Sequence, residues 1–260
     1  QFIVQTVGPT GVCGTVFWNN KADKPEQAIQ RNAWTGKGFM WSPRGSFLAS
    51  HHHQGIAIWG GSNWSKIARF PHINVQKFSF SPNERFLVTW SPFDAKHPLE
   101  DNLVVWETMS AKKVRGYAVE QGVASWPLIQ FSHDDVYASR VGEDFLAIYE
   151  TETFTALDKK PVKVDGIKEC MWSPADHTLA FWVPGTENTP TRVSLMSIPS
   201  RHIVRTKNLF NVIDCSMQWH TEGDYFGVLA TRQGKNKKQV ICGFELFRMR
   251  QKDIPTDVIE

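Results

Sequence analysis

A serine nucleophile of the α/β-hydrolase kind sits on a sharp strand–turn–helix elbow, in the pattern G-x-S-x-G. The nearest approach in this 260-residue chain is Gly60-Gly61-Ser62-Asn63-Trp64. It lacks the closing glycine, falls between two strand-like runs, and has no helical α/β segment beside it. A metal centre is the second possibility. His51-His52-His53 is a dense run, but neighbours on a strand point to opposite faces, so three in a row do not converge on one ion. The run also lies inside a repeat, which excludes a purification tag. His133-Asp134-Asp135 and Asp176-His177 are typical turn formers, and neither has the ligand spacing of a zinc site. The sequence therefore predicts no catalytic residue, no metal ligand and no cofactor.

The four cysteines, Cys13, Cys170, Cys215 and Cys242, form no C-x-x-C pair. Three sit in apolar, strand-like runs, where cysteine behaves as a small hydrophobe. No disulfide framework is expected, and a reducing compartment suits them. No apolar run approaches the length of a membrane span, and no signal peptide is read.

Charge offers a third chemistry. Lys and Arg total 29 against 26 Asp and Glu, a net of +3. Four local clusters stand out. Lys235, Lys237 and Lys238 fall between the second and third strands of the last repeat. Lys112, Lys113 and Arg115 fall between the third and fourth strands of the second, and Lys159 and Lys160 in the matching loop of the third. Arg248, Arg250 and Lys252 follow the last repeat's third strand. In a four-stranded meander, the first cluster and the others project from opposite faces. Lys and Arg at such places give salt-dependent affinity for phosphates. Long loops over 93–101, 184–191 and 234–238 project from one face and are a second candidate binding feature.

The elements that hold these residues come from a repeat. Five segments share an apolar–x–aromatic step, a Ser-Pro-like turn and an apolar strand: Phe39-Met40-Trp41-Ser42-Pro43, Phe78-Ser79-Phe80-Ser81-Pro82, Ile129-Gln130-Phe131-Ser132-His133, Cys170-Met171-Trp172-Ser173-Pro174 and Met217-Gln218-Trp219-His220-Thr221. The anchor aromatics are about 40–50 residues apart, close to the period of WD-type propeller blades. A third strand follows each pair, at 55–59, 103–106, 145–149, 193–196 and 240–247, and then a short outer strand. One four-stranded blade cannot bury its faces alone, so blades stack. The expected architecture is all-β, a WD40-like β-propeller segment of about five and a half four-stranded blades. Residues 1–30 form a partial blade, with strands at 12–18 and 27–30, and the blades run over 31–71, 72–118, 119–165, 166–207 and 208–260. The chain opens in a strand, and an open arc exposes two apolar faces, so further chain is expected at both ends. A β-sandwich is the plainer alternative.

Specific runs then resemble a known family. They are residues 55–61 (Gly-Ile-Ala-Ile-Trp-Gly-Gly), 80–89 (Phe-Ser-Pro-Asn-Glu-Arg-Phe-Leu-Val-Thr), 179–184 (Leu-Ala-Phe-Trp-Val-Pro), 208–215 (Asn-Leu-Phe-Asn-Val-Ile-Asp-Cys) and 244–250 (Phe-Glu-Leu-Phe-Arg-Met-Arg). Over about residues 30–260 the chain resembles the b subunits of eukaryotic translation initiation factor 3. The generic Trp-Asp step is loose: Trp106-Glu107 approaches it, while Trp59-Gly60 and Tyr149-Glu150 depart. The resemblance implies a nine-bladed propeller of which this is the middle, in a cytoplasmic, non-enzymatic scaffold. It implies docking on the small ribosomal subunit through protein and rRNA, partnership with the a, g and i subunits, and no catalytic residue to carry over. On that reading the basic clusters become candidate rRNA or partner contacts. The propeller of a serine peptidase or periplasmic protein, and a generic WD adaptor outside translation, are the alternatives.

Overall fold

The structure is a computed structural model that describes residues 1–9, 11–18, 24–93, 100–119, 126–233 and 239–259. It is built of strands, with one 3-10 turn and no α-helix among the described residues. Two compact units divide the chain, Gln1–Pro127 and Leu128–Glu260.

The first unit opens with a three-stranded antiparallel sheet of β1 (Phe2–Gly8), β2 (Gly11–Trp18) and β3 (Glu26–Thr35). Two repeat sheets follow: β4 (Gly38–Trp41), β5 (Leu48–His52), β6 (Gly55–Gly60) and β7 (Ser65–Pro71), then β8 (Lys77–Phe80), β9 (Phe86–Trp90), β10 (Leu103–Glu107) and β11 (Lys113–Tyr117). Each is a meander in which sequence neighbours pair. In the second unit the third repeat sheet holds β12 (Gln130–Phe131), β13 (Tyr137–Val141), β14 (Phe145–Glu150), β15 (Thr155–Ala156) and β16 (Val162–Lys163). The fourth holds β17 (Glu169–Trp172), β18 (Thr178–Val183), β19 (Thr191–Ser197) and β20 (His202–Leu209). The fifth holds β21 (Val212–Trp219), β22 (Tyr225–Gln233), β23 (Val240–Arg248) and β24 (Thr256–Ile259).

Two expectations need correction. The N-terminal stretch makes three strands, and β3 runs to Thr35, well past the expected outer strand at 27–30. The third repeat sheet has five strands, because β15 and β16 both pair with β14. Its outer strand is cut where Leu157 turns into the core and Asp158 and Lys159 take positive φ.

Alternation along the strands explains the stacking. On β18, Leu179 and Phe181 join one apolar layer with Leu146 and Ile148 of β14, while Ala180 and Trp182 join a second with Met217, Phe226 and Val228. One strand thus feeds two cores, so it reads as a continuous apolar run. In the first unit, Ile56, Ile58 and Phe70 meet Leu87, Val104 and Trp106 in the same manner. Gly55 closes the tight β5–β6 turn at φ 133, where a Cβ would stand 2.0 Å from the Phe70 carbonyl oxygen.

The repeated turn is closed by one backbone hydrogen bond, which serine reinforces in three repeats. Ser42, Ser81 and Ser132 are buried, and each backbone N–H donates to the carbonyl five residues on: Phe47, Phe86 and Tyr137. The amides of those three residues donate back to the serine Oγ at 2.9 Å each. Ser132-His133 makes the turn without proline, and His220-Thr221 makes the same backbone bond, to Tyr225, with neither serine nor proline, so serine and proline reinforce a turn that the backbone bond defines.

Indole N–H groups find hydroxyls in the same way. Trp59 Nε1 donates to Ser50 Oγ at 2.7 Å and Trp106 Nε1 to Thr89 Oγ1 at 2.8 Å. Trp172 Nε1 reaches Ser139 Oγ of the preceding sheet at 2.9 Å. His72 Nδ1 lies 2.7 Å from the same Thr89 hydroxyl. Burial, helped by Lys113 and opposed by Asp101, lowers the His72 pKa to about 4.

Replacing Phe181, which is 3% exposed, with alanine will destabilise the chain by about 3–5 kcal/mol. The same change at Leu229, 43% exposed, will stay near 0.5 kcal/mol; urea denaturation of both variants checks this. The depressed His72 pKa means the unfolded chain binds the extra proton first. Its stabilisation is full above the unfolded value of 6.5 and is lost as pH falls toward about 4, by roughly 3 kcal/mol at most. Melting temperatures measured over that range should fall more steeply in the parent than in His72→Gln.

Candidate binding surfaces

Ser62 lies in the turn between β6 and β7, exposed, with its hydroxyl donating to Asn63 at 3.5 Å. The next element is β7 rather than a helix, so Ser62 has no nucleophile elbow. The three histidines diverge. His51 Nε2 lies 2.7 Å from the Val75 carbonyl and is buried; His52 Nε2 lies 2.8 Å from Ser50 Oγ; His53 sits in the turn. Burial lowers the pKa of His51 and His52. All four cysteines are free. Burial pushes the Cys170 thiol up to about 12 and Cys215 up to about 11, which leaves them poor nucleophiles. No helix is long and apolar enough to cross a membrane among the described residues.

The predicted basic clusters fare unevenly. Lys235, Lys237 and Lys238 lie outside the described residues, as does most of the 93–101 loop and all of 234–238. Lys113 and Arg115 stand on β11 rather than in the loop before it, because strand pairing begins at Trp106↔Lys113. Lys113 is ion-paired with Asp101, and the Arg115 guanidinium lies 5.8 Å from the Tyr117 ring centre. Arg248 is the last residue of β23 and pairs with Asp257 at 2.6 Å. Arg250 pairs with Asp224 at 2.7 Å and also reaches the Glu222 carbonyl at 3.1 Å. Three of the named cations thus share their charge with a carboxylate on the surface. Lys112, Lys159 and Lys160 stand exposed in turns, and Lys252 in the turn before β24.

A stronger basic feature lies in the first unit, which the sequence did not single out. A recess of about 590 Å³ is lined by Arg31, Trp34, His52, Trp59, Lys66 and Arg69 among others, and no carboxylate lines it among the described residues. The Arg31 guanidinium sits 4.7 Å from the Trp59 ring centre and 5.4 Å from that of Trp34. It also donates to the Trp64 carbonyl at 3.0 Å. Trp34 and Trp59 meet edge to face at 5.5 Å. Lys66 and Arg69 come from β7, opposite Trp59 and Ala57 of β6. The lining combines three fixed positive charges, indole rings and two imidazoles, which suits a phosphate beside a flat ring.

The strand 1–2 turns of successive sheets also touch. Glu84, buried at φ 64, accepts from the Arg44 amide at 2.7 Å and the Ser46 amide at 3.3 Å. Burial alone would raise its pKa, but bonds from Ser42, Ser46 and Arg44 outweigh it and hold the carboxyl low. In the second unit, His177 of the fourth repeat sheet meets Asp134 of the third at 2.8 Å, with His133 beside them.

A family model described as eukaryotic translation initiation factor eIF2A matches residues 207–260. Among curated proteins, the B subunit of eukaryotic translation initiation factor 3 from Xenopus laevis is 41% identical over 246 residues, 95% of this chain and 36% of its own length. The Nicotiana tabacum counterpart is 41% identical over 278 residues, 100% of this chain and 38% of its own. The Schizosaccharomyces pombe counterpart is 37% identical over 281 residues, 95% of this chain and 39% of its own. The chain spans little more than a third of the length of these relatives. Of solved structures, a eukaryotic initiation factor matches with a TM-score of 0.74 at 20% identity, over 92% of this chain and 59% of that one. The β-propeller domain of Myceliophteria thermophila Cps50 (Swd1) matches with a TM-score of 0.51 at 13% identity, over 85% of this chain and 68% of that one.

Sheet order and these folds define a β-propeller segment. The family its sequence matches is that of the B subunits of eukaryotic translation initiation factor 3. The likeness takes in residues 1–30 as well, rather than beginning near residue 30, since the tobacco alignment covers the whole chain.

Proposed function

We propose that this chain is the propeller scaffold of an initiation factor 3 subunit and docks on the small ribosomal subunit in the cytoplasm. On this reading it belongs to a larger, nine-bladed propeller and helps to organise the a, g and i subunits without catalysing a reaction. The observation that carries the docking step is the recess of Arg31, Trp34, Trp59, Lys66 and Arg69, which no carboxylate lines among the described residues. Its chemistry fits an unpaired rRNA nucleotide, with a base against an indole and the phosphates near Lys66 and Arg69. Arg248 and Arg250 are weaker candidates, because Asp257 and Asp224 already meet them. Lys112, Lys159 and Lys160 are exposed and open to a second contact.

The test is sedimentation of full-length protein with small ribosomal subunits over a range of salt. Lys66→Glu with Arg69→Glu should weaken association and flatten the salt dependence, with a log–log slope smaller by about 1–2. Arg248→Ala with Arg250→Ala should change it little. An unchanged slope in the first pair would remove the recess from ribosome docking.

A further inference from the structure

Neither His133-Asp134 nor His177 looks like a metal ligand set in the sequence, since the two turns are 43 residues apart. Stacking of the third and fourth repeat sheets brings them together. One ligand atom from each of His133, Asp134 and His177 lies within 4.8 Å of the others. We propose that these three side chains form a zinc site that clamps the two sheets through their strand 1–2 turns.

The geometry around each donor supports this. Asp134 Oδ1 is occupied: it accepts from Ser132 Oγ at 2.7 Å and from the Val136 amide at 3.1 Å. That leaves Oδ2 facing His177 Nε2 at 2.8 Å. A carboxylate oriented by neighbouring donors, with one oxygen turned to an imidazole, is the outer-shell arrangement that metal ligands have. The His177 ring is held edge-on to Tyr137 at 4.9 Å and tilted toward His133 at 5.3 Å. His133 Nδ1 is buried and has no hydrogen-bond partner, an unmet requirement that metal binding at the ring would relieve directly or by fixing its tautomer.

Two imidazoles and one carboxylate are a borderline donor set of the kind that zinc takes, with a fourth position left to water. Tetrahedral zinc with ligands at about 2.0–2.2 Å holds two donor atoms roughly 3.3 Å apart. The 2.8 Å contact between Asp134 and His177 must therefore open by a few tenths of an ångström. Both side chains are about 30% exposed, so they have room to do so. Without metal the same atoms meet directly, His177 Nε2 against Asp134 Oδ2 at 2.8 Å. When zinc enters, it takes the place of the hydrogen between them: an imidazolium gives that proton to solvent, and a neutral ring carries it on Nδ1 instead. In the first unit Glu84 makes the equivalent turn-to-turn link to the amides of Arg44 and Ser46, so the clamp elaborates a contact the stacking already requires.

The test uses the whole chain, stripped with a chelator and dialysed, then titrated with Zn²⁺ by calorimetry and by thermal melting. One equivalent should bind with micromolar affinity and raise the melting temperature. Co²⁺ in its place should give the visible absorption of a tetrahedral site. His133→Gln and Asp134→Asn should each weaken Zn²⁺ binding about tenfold or more. Two variants guard against one that fails to fold, and far-ultraviolet circular dichroism of each stripped protein verifies the fold. Absence of Zn²⁺ binding by the parent chain would overturn the proposal. So would undiminished binding in both folded variants, which would place the ion elsewhere, for example at His51–His53 or an exposed cysteine.

Discussion

Everything in this chain depends on one requirement: each small sheet has two apolar faces and needs a neighbour on both. β18 shows the constraint in four residues, with Leu179 and Phe181 committed to one layer and Ala180 and Trp182 to the next. On a strand covered on both faces, a polar group without a partner costs free energy. Three of the polar groups that do enter, Ser50, Thr89 and Ser139, each accept an indole N–H. Edge strands carry the opposite pattern. β20 is mostly exposed, and β11 carries Lys113, paired with Asp101.

That division of labour decides where function can sit. Chemistry needs groups that converge, and the stacked faces are filled with side chains locked in apolar layers. What remains is the rim: turns, outer strands and the seams where sheets meet. On the rim several cations are spent on nearby carboxylates, which shortens their reach. The recess between Arg31, Lys66 and Arg69 differs because no carboxylate lines it among the described residues and its indole at Trp59 is fixed from below by Ser50. A frame with a basic, ring-lined rim suits binding by complementarity.

Much of the frame is legible in the sequence. The anchor aromatics, the serine turns and the third strands follow from period-2 alternation and local turn chemistry, which act over a few residues. The third strand expected at 145–149 is β14, Phe145–Glu150. What stays hidden depends on register and on contacts between sheets. Lys66 and Arg69 meet Arg31 only because β7 pairs with β6 at Trp59↔Lys66 and Ala57↔Arg69, and no linear cluster marks them. His177 reaches Asp134 across a seam. Conversely, linear clusters mislead: Lys113 and Arg250 look free among their sequence neighbours, while their partners Asp101 and Asp224 lie 12 and 26 residues away. The five-stranded third sheet escapes a reading by alternation because a single buried side chain, Leu157, interrupts an outer strand that alternation alone would continue.

The most direct measurement places a photoreactive amino acid at position 66 of the full-length protein and irradiates native initiation complexes. Sequencing the cross-linked material should find small-subunit rRNA attached at position 66 and little at a control position on β20, such as 204. Cross-links from position 66 only to protein, or none above the control, would contradict an RNA-docking rim.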